Sequence, residues 1–128
     1  MQLKIIDMPF SICKLSDCST LNMTESFYFY ARTDEEISLV CPTEKTPANT
    51  LVSDEGWRMF RIEGTLDFSL VGILSKISGI LAEYQISSFA VSTYNTDYIL
   101  VKEEKFEAAI SRLQEHGFES VPMPADRR

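Results

Sequence analysis

Apolar residues recur at helical spacing over one stretch of the chain. Leu70, Ile73, Leu74, Ile77, Leu81 and Tyr84 form a one-sided stripe. The helix this stripe predicts begins near Ser69, with Asp67 and Ser69 placed to accept hydrogen bonds from its first free N–H groups. Gly72 and Gly79 fall inside it. Each costs a helix about 1 kcal/mol relative to Ala, which suggests that something packs close to the backbone there. A second stripe, Phe106, Ala109, Ile110 and Leu113, predicts a helix over 103–116. Glu103 and Glu104 suit its positive end, Arg112 and His116 suit the other, and Gly117 is a stop signal.

Strands fill the remaining spaces. Residues 86–93 and 98–102 are rich in β-branched and aromatic side chains, with the polar turn Tyr94-Asn95-Thr96-Asp97 between them. Residues 57–63 alternate, Phe60 and Ile62 pointing one way and Arg61 and Glu63 the other. A short strand at 118–121 closes the series. From Trp57 onward the order is β-α-β-β-α-β, a ferredoxin-like unit. The first half predicts strands at 3–6, 10–15, 27–33 and 37–41, at most one helical turn over 18–23, and a hairpin turn at Asp34-Glu35-Glu36. A shift of 61 lays residues 27–40 onto 88–101, so that Leu39-Val40 meets Leu100-Val101 and Glu36 meets Asp97. The halves therefore read as two similar units, the first having lost most of its helical layer. The expected fold is α+β: a mostly stranded N-terminal unit over 1–56, a second unit over 57–121 and a flexible tail over 122–128. Antiparallel sheets are expected, with the helices on one face.

Composition narrows the function. The chain has 128 residues, 45% of them hydrophobic, enough for a packed core. Lys plus Arg is 12 against 19 Asp plus Glu, a net charge of −7, and no basic run exists. Phosphate neutralisation dominates nucleic-acid affinity, so neither nucleic acid nor an anionic membrane surface is an expected partner. The start MQLKIIDMPF does not read as a secretory signal, and Ser75, Lys76 and Ser78 interrupt the most apolar segment. With no signal expected, the odd set Cys13, Cys18 and Cys41 reads as reduced thiols in a cytoplasm. The cysteine spacing does not suit zinc, and no phosphate-cradling loop or nucleophile–base set is recognisable. Neither enzymatic activity, a metal nor a cofactor is expected. His116 reads as a favourable group at a helix end, and Trp57 as core or interface.

The segment Thr65-Leu66-Asp67-Phe68-Ser69-Leu70-Val71-Gly72 enters the first helix, and Ser92-Thr93-Tyr94-Asn95-Thr96-Asp97 forms the later hairpin. Free amides at Leu70, Val71 and Gly72 would favour a carboxylate. Asp97 would pair with an ammonium, so together they would fit a zwitterion. The same residues also read more plainly. Asp67 and Ser69 can simply cap the helix, and Asp97 can simply hold a turn.

Residues 63–74 and 86–101, together with Glu36-Ile37-Ser38-Leu39-Val40-Cys41-Pro42, resemble the ACT domain. More closely, they resemble the small bacterial tandem-ACT proteins related to the CASTOR arginine sensors. The resemblance spans residues 3–117. It implies two ACT-like units and a non-catalytic regulatory or sensor module that binds a small molecule, usually an amino acid, where ACT units meet. The contacts it implies are Ser69, Leu70, Val71, Gly72, Thr93, Tyr94 and Asp97, with Asp67 the nearest acid before the loop glycine. Because Ser69-Leu70-Val71 carries no acid to meet a guanidinium, the resemblance implies an amino acid rather than arginine in particular. It also implies a homodimer and a regulatory protein partner. The alternative is a protein-interaction or scaffold module with a vestigial pocket.

Overall fold

The structure is a computed structural model that describes residues 1–63 and 72–123. The described strands are β1 (Gln2–Leu15), β2 (Phe29–Arg32), β3 (Ile37–Pro42), β4 (Thr50–Ile62), β5 (Phe89–Ser92), β6 (Asp97–Lys102) and β7 (Glu119–Pro122). The helices are α1 (Ile73–Glu83) and α2 (Glu103–Glu115), with one 3-10 turn at Thr43–Lys45. The chain forms two compact units, one of Met1–Asp7 with Arg58–Arg128 and one of Met8–Trp57. The first seven residues thus group with the C-terminal unit, because Gln2–Ile5 pair with Glu119–Pro122.

The larger unit carries strands in the order β7-β1-β4-β6-β5 and both helices. Its β5–β6 hairpin is antiparallel, whereas β1 and β7 run parallel, an exception to the all-antiparallel expectation. Phe60 and Ile62 of β4, Ile99 and Val101 of β6, Ile77 and Leu81 of α1, and Phe106 and Leu113 of α2 make one apolar cluster. This is the alpha-plus-beta arrangement that the two stripes require. The unit's order continues through Met123, which is buried and donates its N–H to the carbonyl of Ile5 (3.0 Å).

Helix α2 matches its stripe, and Gly117 ends it with φ +95°, a conformation that only glycine adopts without strain. The first helix begins later than its stripe suggests. Its N-cap is Gly72 at φ +87°, so this glycine marks the entry rather than the interior. Gly79 does lie inside, but no described atom comes within 4 Å of where its Cβ would sit. The close approach expected there is absent among the described residues. Gly79→Ala is therefore expected to stabilise the protein by about 1 kcal/mol, read as a raised urea midpoint at unchanged slope.

The smaller unit has the order β2-β3-β1-β4. Pro9 falls in β1 between the residues paired with β7 and those paired with β3, so it interrupts neither of those two ladders. Cys13, Leu15, Leu39 and Cys41 form the apolar cluster, with Leu21, Tyr28, Tyr30 and Ile37 against it. Burial, and then the neighbouring Cys13 sulfur, push the Cys41 thiol up to about 12. The folded state therefore holds this proton more tightly than the unfolded chain. The associated stability is complete below the ordinary thiol value and declines as pH rises from there towards about 12. Raising the pH from about 8 to about 10 is expected to cost on the order of 1 kcal/mol, a slope that Cys41→Ala flattens in urea titrations at each pH. In the folded protein only the exposed Cys18 thiol should react rapidly with an alkylating reagent.

Candidate functional site

The hairpin between β5 and β6 is the best-defined part of the site. Ser92 pairs with Asp97, and the Thr93 N–H donates to the Thr96 carbonyl at 2.9 Å. The Thr93 hydroxyl donates to that same carbonyl (2.9 Å) and accepts from the Thr96 N–H (3.4 Å). The Ser92 hydroxyl donates to Asp97 Oδ1 at 2.5 Å. Thr93 and Asp97 thus belong to one bonded turn, Asp97 half-buried and Thr93 exposed. Tyr94 stands 94% exposed at the tip.

Thr96, absent from the residues that sequence singled out, fixes this turn to the sheet. It is buried, and its hydroxyl donates to the Ile62 carbonyl at 2.7 Å. The hairpin is therefore tied to the end of β4, from which the chain leads to residues 64–71. Asp67, Ser69, Leu70 and Val71 lie outside the described residues. Gly72 is described, at the start of α1, where its carbonyl accepts from the Lys76 N–H at 2.7 Å. By helix geometry the amides of Ile73, Leu74 and Ser75 precede that bond and are the ones a helix end offers to an anion. The expected start at Ser69 had placed those amides earlier.

A second cluster borders the hairpin. The Arg61 Nη1 donates to the Tyr98 hydroxyl (3.3 Å), and its Nε lies 3.7 Å from Glu63 Oε2. Its guanidinium sits 5.9 Å from the Tyr98 ring centre. A cleft of about 780 Å³ lies elsewhere, along Ser75, Ser78, Gly79, Ala82 and Ser88 beside α1. It is open and lacks charged groups, so it does not outweigh the hairpin as a site for a zwitterion. No group of three metal-ligating side chains occurs among the described residues, and no described helix is long and apolar enough to cross a membrane.

The hairpin of the smaller unit has the same construction. Arg32 pairs with Ile37 as Ser92 pairs with Asp97, and Phe29 pairs with Val40 as Phe89 pairs with Leu100. The correspondence is therefore 60 residues, not the 61 suggested by the Leu-Val pairs, and it matches Ile37 rather than Glu36 with Asp97. Strand periodicity explains why this matters, since a slip of one exchanges the two faces. In the corrected register Thr33 stands where Thr93 does, and its N–H likewise donates to the carbonyl three residues on (2.9 Å).

The larger unit sets two helices on a mixed sheet, with the β-α-β-β-α-β order of a ferredoxin-like unit from β4 to β7. The sequence matches the ACT domain family over residues 52–115, and the chain belongs to that family. Among characterised relatives it is 37% identical over 95 residues to the cytosolic arginine sensor for mTORC1 subunit 1 of Rattus norvegicus, and 38% over 96 residues to that of Homo sapiens. These matches cover 69% and 70% of this chain but 29% of each relative's length. Among solved structures, an Agobacterium tumefaciens protein matches with a TM-score of 0.84 and 28% identity, covering 96% of this chain and 93% of its own. The structure of aspartokinase alpha and beta subunits matches with a TM-score of 0.60 at 15% identity, over 90% of this chain and 96% of that one, a likeness of fold alone.

Proposed function

We propose that this chain is a non-catalytic amino-acid-binding module of the sensor or regulatory kind, and that it acts in the cytoplasm. The observation that carries the reading is the bond from Thr96 to Ile62, which holds the Thr93–Asp97 turn against the strand end leading to the first helix. On this reading the α-carboxylate meets the amides at the start of α1, with Asp67, Ser69, Leu70, Val71 and Gly72 supplying the entering loop. Asp97 takes the ammonium, while Thr93 and Tyr94 border the ligand. The relatives that carry arginine sensing in their names support an amino acid as the ligand class. The two threonine-closed hairpins, 60 residues apart, support a tandem of related units. Function follows by linkage: the ligand stabilises one arrangement of ACT units in a homodimer, and a regulatory protein partner reads it.

A second reading, an interaction module with a vestigial pocket, is favoured by the exposure of Leu51 and Val52 (61% and 63%). A thermal-shift screen with the standard amino acids, arginine included, separates the two. A shift that Asp97→Ala abolishes supports the sensor. No shift in well-folded protein refutes it.

A further inference from the structure

A second groove lies within the larger unit, between β1, β4 and α2. Ile5, Arg58, Phe106, Glu107, Ile110 and Ser111 line it, around a space of about 410 Å³. Small-molecule sites typically enclose about 300–1,000 Å³. Strand alternation puts Arg58 on the same face of β4 as Phe60 and Ile62, the face that the helices cover. A cation is out of place there unless something holds it.

Arg58 is held from two sides. Its guanidinium sits 4.8 Å from the Phe106 ring centre, and its Nη2 donates to Asp7 Oδ1 at 3.2 Å. The pairing with Asp7 is weak, because that side chain is 63% exposed. Among the described residues Asp7 is the one acceptor this guanidinium meets. Nη1 therefore has none, and neither has the buried Nε. The Arg58 side chain is 21% exposed, so solutes reach part of it. A positioned guanidinium with donors to spare, bordering an apolar groove, has the chemistry of a carboxylate receptor.

We infer that this groove is a second ligand site, for a monocarboxylate with an apolar body. The carboxylate accepts from Arg58 Nη1, and the apolar body lies on Ile5, Phe106 and Ile110. The exposed Glu107 borders the same space, and the chain carries a net charge of −7. Both act against a second negative charge, which is why the ligand class is a monoanion. The site is separate from the hairpin. Arg58 lies four positions before Ile62, whose carbonyl anchors that turn, a distance of about 13 Å along the strand. The inference therefore does not rest on the hairpin reading.

Two-dimensional NMR of the labelled full chain, titrated with hexanoate from roughly 0.1 mM to roughly 20 mM, tests it. Hexanoate should move the amide signals of Phe106, Glu107, Ile110 and Ser111 along one saturable curve. Hexanol, with the same chain length and no charge, should bind at least about tenfold more weakly. Arg58→Gln should weaken hexanoate at least about tenfold and leave hexanol unchanged, a split that a merely structural arginine would not produce. If that variant fails to fold, the exposed Glu107→Gln decides. It should tighten hexanoate about twofold, and unchanged binding refutes the inference. Equal binding of hexanoate and hexanol refutes it too, as does the lack of a saturable shift at these amides. Shifts confined to residues 92–97 and the start of α1 also overturn it, while supporting the anion-binding part of the hairpin reading. Failure with hexanoate leaves amino-acid binding at the hairpin, scored by the thermal-shift screen, untouched.

Discussion

Saturation with its cognate amino acid should raise the stability of the protein by about 2.7 kcal/mol when the ligand is at about one hundred times its dissociation constant. That gain should be absent in Asp97→Ala. The variant's own stability should change little, because the bond it loses, from the Ser92 hydroxyl, is exposed. The two effects are separable for this reason: a fall in the unliganded midpoint reports the turn, and a lost ligand shift reports the ammonium partner. Asp97→Asn sharpens the test, since it preserves an acceptor for Ser92 but removes the charge. Calorimetry on the best amino acid should show binding weakened at least about tenfold in both variants. Undiminished binding in Asp97→Asn would remove Asp97 from the site. If arginine gives the largest shift, a carboxylate must meet the guanidinium, and Asp67→Asn then becomes the informative variant.

Legibility from sequence followed the local character of each element. Helix α2 was readable because stripe, charged ends and stop glycine all agree over residues 103–117. The entry to α1 was not, because Gly72 inside an apolar stripe looks interior until its φ of +87° is known. The first half of β4 escaped notice for a physical reason. Residues 51–55 bury neither face, so they carry none of the alternation that marks a strand. The likeness of the two hairpins was legible, but in a register slipped by one. Leu39-Val40 and Leu100-Val101 are the conspicuous match, whereas the residues that build the turns are Thr33 and Thr93. In the hairpin, Asp97 and Thr93 stand out by residue type as turn-forming groups. Thr96 does not, since its role depends on a carbonyl 34 residues away.

Phe60→Ala should be the most damaging single truncation in the larger unit, costing about 3–5 kcal/mol. Phe60 is fully buried on β4, and its ring centre lies 6.3 Å from that of Phe106 on α2. Its removal forfeits the transfer energy of an aromatic ring and opens a cavity bounded by two helices and the sheet, which can collapse only in part. The loss also reaches the site by a short route. Two residues further along β4, the Ile62 carbonyl receives the Thr96 hydroxyl that fixes the hairpin. Urea denaturation should show the midpoint falling at nearly constant slope. In the folded fraction, the hairpin's amide protons should exchange faster than in wild type. Phe60→Leu retains most of the volume and should recover more than half of the stability. If it recovers none, ring-specific packing against Phe106 rather than volume sets the cost. If Phe60→Ala costs under about 1 kcal/mol, the cluster joining α1, α2 and the sheet is not the cooperative core of the unit.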